Sequence, residues 1–154
     1  MKNFIITIIG FSFITALSIS LTSMDSPIDE PAIITSMQNA DFNLQESIEA
    51  GKAIYEGKGT CVTCHQKNGA GIPPTFPPLA NADYLLEDKH RAIKQTMYGA
   101  DEPITVNGIT YPGGIMTTVE LTNKEVRDVV NYILNSWGND GGVVTIEDVK
   151  AQRK

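Results

Sequence analysis

Cys61, Val62, Thr63, Cys64 and His65 form the run Cys-x-x-Cys-His, which constrains this chain more than any other feature. Two thiols three positions apart can add to the two vinyl groups of a haem, while the histidine that follows turns beneath the ring and ligates its iron. The run is a c-type haem attachment signature. Other chemistries that use the same residue types fit less well. A thioredoxin-like dithiol sits beside alternating strands and helices, whereas this pair ends a helix-like segment and opens a loop rich in glycine and proline. A structural zinc site needs four ligands, and outside the run the chain holds no cysteine and one histidine, His90. A Cys61 to Cys64 disulfide would close too small a loop to restrict the unfolded chain much. One haem c with its iron is the expected cofactor.

The chain has 154 residues, enough for one domain with a proper core. After Lys2 there is no charge until Asp25, and the stretch 4–21 is rich in Ile, Phe and Leu. Residues 1–23 therefore read as an export signal with small residues at Ser18, Ser20 and Ser23, or as an uncleaved anchor that tethers the protein to a membrane. Lipidation would need a cysteine just after the signal, and both cysteines lie far downstream. Either way the functional part is delivered outside the cytoplasm, to the periplasm, where attachment of haem by this motif is completed. Residues 24–44 carry Pro27, Pro31 and several acids without a sustained period, and read as a flexible linker. Residues 141–154, after the Gly141 and Gly142 pair, read as a charged tail.

Residues 45–140 form the expected domain. They hold twelve acids and eight bases, a net of −4, with no basic stripe of the kind that binds nucleic acid. Ile48, Gly51, Ile54 and Tyr55 share one face of a helix over 45–57 that leads into the cysteines. Ala82 to Glu87 and Lys89 to Tyr98 read as two shorter helices, the second capped by Gly99. Thr122 and Glu125 form a capping box for a last helix whose Val126, Val129, Val130, Ile133 and Trp137 recur at helical spacing until Gly138. Asn107 and Gly108 between two β-prone triplets signal a hairpin. The fold class is all-α, short helices wrapped around one covalent haem, with a small hairpin.

These motifs together resemble the class I, single-haem cytochromes c, over most of 45–139. Gly51 and Tyr55 look like the family's glycine and aromatic on the first helix, which pack against an aromatic on the last, here Tyr132. The run from Gly71 to Ala80 is similar to the proline loop on the histidine side of the haem. The resemblance implies that a backbone carbonyl of Pro77 or Pro78 accepts the histidine's proton, fixing its tautomer. It also implies that Met116, in a glycine-bearing loop before the final helix, is the second axial ligand. Met97 and His90 are the competing donors. Val106 to Met116 and Ser136 to Asn139 are similar to cytochrome domains that stand alone or are fused to bacterial respiratory enzymes. Tyr84 and Tyr111 are candidate hydrogen-bond donors to the haem propionates, or else aromatic packing with the hydroxyl at the surface.

With histidine and methionine on the iron, no coordination site is left for a substrate, and the metal changes only its charge. The expected function is a one-electron carrier in a periplasmic respiratory chain, and not an enzyme. Its partners would be redox proteins: a donor dehydrogenase or membrane complex, and an acceptor reductase or oxidase. The alternatives are a dedicated electron-transfer subunit of one enzyme complex, with residues 141–154 as a contact element, and a haem sensor or enzyme with an open iron site.

Overall fold

The computed structural model describes residues 42–154. The expected export signal or anchor, and all but the end of the expected linker, lie outside the described residues. Among the described residues no helix is long and apolar enough to cross a membrane.

Helix α1 (Leu44–Glu56) starts at Asn43, whose side-chain oxygen accepts from the Gln45 and Glu46 amides. Asn43 and Leu44, expected to close the linker, are thus a helix cap and a first helical residue. A short α2 (Val62–His65) carries the cysteine and histidine run. Helices α3 (Asp83–Glu87) and α4 (Lys89–Tyr98) follow, then an antiparallel pair, β1 (Ile104–Val106) and β2 (Ile109–Tyr111), in which Thr105 faces Thr110. Asn107 and Gly108 both take positive φ, as a tight hairpin requires. Asp83 ties this turn to α3 by accepting from the Asn107 amide at 2.7 Å.

Helix α5 (Asn123–Leu134) has the expected Thr122 and Glu125 capping box. It stops short of Trp137, which lies beyond the helix in the left-handed region with φ 55°. Helices α1 and α5 cross almost backbone to backbone. A Cβ on Gly51 would lie 1.9 Å from the carbonyl oxygen of Asp128, so only glycine fits there. At the crossing the Ser47 hydroxyl donates to Asp128 at 2.6 Å, and the Asn131 amide donates to Ser47 at 3.1 Å. The Asp128 carboxylate is 1 % exposed and is paired with Arg127 and Lys124, which offsets the cost of burying it.

The expected charged tail is in fact part of the domain. Helix α6 (Ile146–Ala151) opens with a Thr145 and Asp148 capping box. Val144 and Val149 are fully buried in the same cluster as Ile93, Val126 and Leu134. The Asn131 side chain both donates to and accepts from the Val144 backbone, and Lys89 reaches across to Asp148 at 3.0 Å. Burial of two valines outweighs the local charge count, because each apolar side chain removed from water contributes about 1.5–3 kcal/mol.

Lys58, just before the cysteines, donates to the Glu125 carboxylate at 2.8 Å. That bond first, then those from Thr122, lower the Glu125 pKa from 4.5 to about 2. A depressed carboxylate contributes stability that is complete above its unfolded value and is lost as pH falls through the folded one. In urea unfolding measured against pH, the wild type is therefore expected to be more stable than Glu125→Gln at neutral pH, with the gap closing between about pH 4.5 and 2. A gap of constant size across that window would rule out this ionic link.

Candidate haem site

The two cysteines and the histidine reach one wall because they share a single helical turn. Cys61 has helical dihedrals, and its carbonyl accepts from the His65 amide at 2.9 Å. Both thiols are free and both line a cleft. Burial pushes the Cys61 thiol above its ordinary value, the reverse of the lowered pKa that a redox-active dithiol needs.

His65 is 8 % exposed on the same wall. Its Nδ1 lies 2.9 Å from the Pro77 carbonyl oxygen. A carbonyl can only accept, so Nδ1 carries the proton and Nε2 keeps its lone pair free for a metal. Burial lowers the His65 pKa, with the Pro77 bond opposing, and the ring is favoured in the neutral form that ligates iron. Of the two prolines implied by the resemblance, Pro77 accepts this bond, and Pro78 contributes to the lining.

The proline loop is held in place by its neighbours. The Leu79 and Ala80 amides donate to the Gly69 carbonyl, at 2.7 and 3.0 Å. Buried Asn139 accepts from the Asn81 amide at 2.7 Å and donates to the Leu79 carbonyl at 2.9 Å. Tyr55 donates to the Gln66 carbonyl at 2.7 Å, and Trp137 to the Lys67 carbonyl at 3.1 Å. The rings of Tyr55, Tyr132 and Trp137 form a triangle with centroids 5.3 to 5.5 Å apart, so the expected Tyr55 and Tyr132 contact includes a third aromatic. Burial holds the Tyr55 phenol protonated, well above its ordinary range.

The cleft encloses about 1350 Å³ including its open mouth. Its walls are apolar, with Leu85, Ile104, Val106, Val129 and Ile133 among them. Tyr84, Tyr111 and Met116 line it too. Tyr111 is 1 % exposed, which removes its hydroxyl from the surface. Tyr84 lies under the Arg91 guanidinium, 3.7 Å from its ring centroid, and its hydroxyl accepts from Gln95 at 3.1 Å. The two competing iron donors are elsewhere. Met97 is buried in the core outside the cleft lining, and His90 is exposed beside Gln152. Among the described residues no cluster of three or more His, Cys, Asp or Glu side chains could hold a separate metal ion.

Gln95 and Thr96 also line the cleft, beyond the residues to which the sequence motifs point. Their spacing from Ala92, three and four positions on, was the available signal, but it was indistinguishable from an ordinary helix face.

The residues present fit a haem: two thiols and a neutral imidazole on one wall, a thioether on the cleft, and apolar sides. The cytochrome c family model matches residues 48–137, and the chain belongs to that family. It is a class I, single-haem cytochrome c, an electron carrier whose cofactor is haem c. Among its relatives, cytochrome c-552 of Thermus thermophilus is 37 % identical over 112 residues, covering 67 % of this chain and 83 % of that protein. The cytochrome c subunit of a quinone alcohol dehydrogenase from Gluconobacter oxydans is 29 % identical over 109 residues, 68 % of this chain but 22 % of that protein. The fructose dehydrogenase cytochrome subunit of Gluconobacter japonicus is 27 % identical over 107 residues, covering 67 % of this chain and 22 % of that subunit.

Replacing Tyr55 by Phe leaves the Gln66 carbonyl without its donor while keeping the ring triangle. The expected cost is about 1 to 2 kcal/mol, read as a lower urea midpoint at unchanged slope.

Proposed function

We propose that Cys61 and Cys64 would hold the haem by thioethers, that His65 Nε2 and the Met116 sulfur would ligate its iron, and that the protein shuttles single electrons between redox enzymes outside the cytoplasm. The observation that carries this reading is the His65 to Pro77 bond, on a cleft shared with both cysteines and with Met116. When bound, the haem supplies a one-electron ferric and ferrous couple. The protein's part is to fix the ligands and exclude water. His65 is oriented by Pro77, and its basicity rises as Nδ1 shares its proton with the carbonyl. A methionine thioether favours the ferrous state and raises the potential, and the apolar walls favour the less charged state as well. A fully ligated iron leaves no open position for a substrate. That argues for a carrier and against a sensor or enzyme.

The relatives support redox enzymes as partners, in two arrangements: a cytochrome that stands alone, as in the c-552 proteins, or a domain of a dehydrogenase subunit. The high coverage of cytochrome c-552 favours the free carrier. The uncharged N-terminal stretch favours an exported protein, with cleavage ahead of a membrane tether.

Material matured in a competent host is expected to carry one haem by mass spectrometry of the Cys61 to Cys64 peptide, and to show the weak red-edge ferric band of a sulfur-bound iron. Met116→Ala should remove that band and lower the potential by on the order of 0.1–0.3 V, within the span of about 0.8 V that axial ligands command. Met97→Ala should do neither. Loss of the band in the Met97 variant instead would reassign the ligand.

A further inference from the structure

Met116 sits in a stretch between β2 and α5 that has no helix or long strand of its own, and the residue is 38 % exposed. Its backbone is fixed by one antiparallel bridge to Ala100. The Ala100 amide donates to the Met116 carbonyl at 3.2 Å, and the Gly114 amide donates to the Ala100 carbonyl at 2.7 Å. Ala100 directly follows Gly99, the cap of α4.

Gly99 has φ 79° and ψ −171°, a conformation that essentially only glycine adopts. A Cβ there would lie 2.2 Å from the carbonyl oxygen of Met116 itself. From the other strand of the bridge, a Cβ on Gly113 would lie 2.1 Å from the Asp101 carbonyl oxygen. The two segments therefore touch backbone to backbone, with no space for a side chain on either. Ordinary contact begins at 3.4 Å, so a methyl at Gly99 must displace something by about 1.2 Å. Helix α4 cannot yield, because Ile93 and Met97 anchor it in the core at 0 % and 6 % exposure. Residues 114 to 118 are exposed, and that loop is what moves.

We propose that Gly99 is a positioning residue for the axial methionine: by letting the end of α4 lie against the Met116 carbonyl, it sets how firmly the sulfur stays on the iron. This rests on the assignment of Met116 as ligand. A site geometry of this kind is lost at displacements of about 0.5 Å, well under the shift a methyl imposes. Gly108 serves as a control, since it also has positive φ, at 78°, but meets nothing within 4 Å. A side chain there bears the backbone cost without the collision.

The test uses the haem-loaded full chain in four variants: Gly99→Ala, Gly113→Ala, Gly108→Ala and Met116→Ala. Two quantities are read, the red-edge ferric band and the affinity of ferric iron for added imidazole, which competes for the methionine's position. Gly99→Ala and Gly113→Ala are expected to lose most of the band and to bind imidazole about ten-fold more tightly, in proportion to the fraction of molecules with the sulfur displaced. Gly108→Ala is expected to keep wild-type values of both. Retention of the band, with imidazole affinity near the wild-type value, in Gly99→Ala, or in Gly113→Ala should Gly99→Ala not fold, overturns the inference alone. Equal losses in Gly108→Ala overturn it too, by assigning the effect to backbone strain at large. A band that survives in Met116→Ala overturns the ligand assignment, and the inference with it.

Discussion

The crossing of α1 over α5 is the constraint on which the other parts depend. With no side chain at Gly51, the two helices approach until one backbone touches the other. Ser47, Asp128 and Asn131 then lock their relative rotation by buried hydrogen bonds that would be costly to leave unmade. The end of α1 delivers Tyr55 and the cysteine turn, and the end of α5 delivers Trp137 and Asn139. Asn139 in turn fixes the proline loop whose carbonyl holds His65. Imidazole orientation thus traces back, through three short links, to one missing methyl group.

Much of this was legible in the sequence because it depends on local rules. The Cys-x-x-Cys-His run, the Thr122 capping box and the Asn107 and Gly108 turn each state their geometry within five residues. The different settings of Met116, on the cleft, and Met97, off it, were less local. Met97 lies at the end of α4 and Met116 in the loop before α5, and the way α4 turns Met97 into the core sets their surroundings apart. The choice between Pro77 and Pro78 depended on a single carbonyl direction, which no side-chain pattern encodes.

The C-terminal segment shows where reading by composition fails. Five of its fourteen residues are charged, and the opening glycine pair suggested an end to order. Yet Thr145 and Asp148 stand three apart as a capping box does, and Val144 and Val149 lie on the face that meets the core. Two valines and one buried asparagine decided the outcome against the surrounding charges. Trp137 shows the converse, since helical spacing carried its apolar stripe past the real end of α5, into a turn that places the indole against Tyr55.

Ser47 and Asp128 are 81 positions apart in sequence, so their contact closes the larger part of the domain into one ring. The entropy of that closure grows only slowly with ring size, and it is lost once. Segments inside the ring can then open and reclose while the clasp stays shut. The methionine-bearing stretch is exposed and pinned by two backbone bonds. Amide exchange should accordingly run in a hierarchy, fast from Gly114 to Thr118 and slowest at Val129 and Val130, so that the Met116 wall of the cleft breathes on its own while the His65 wall opens only with the domain.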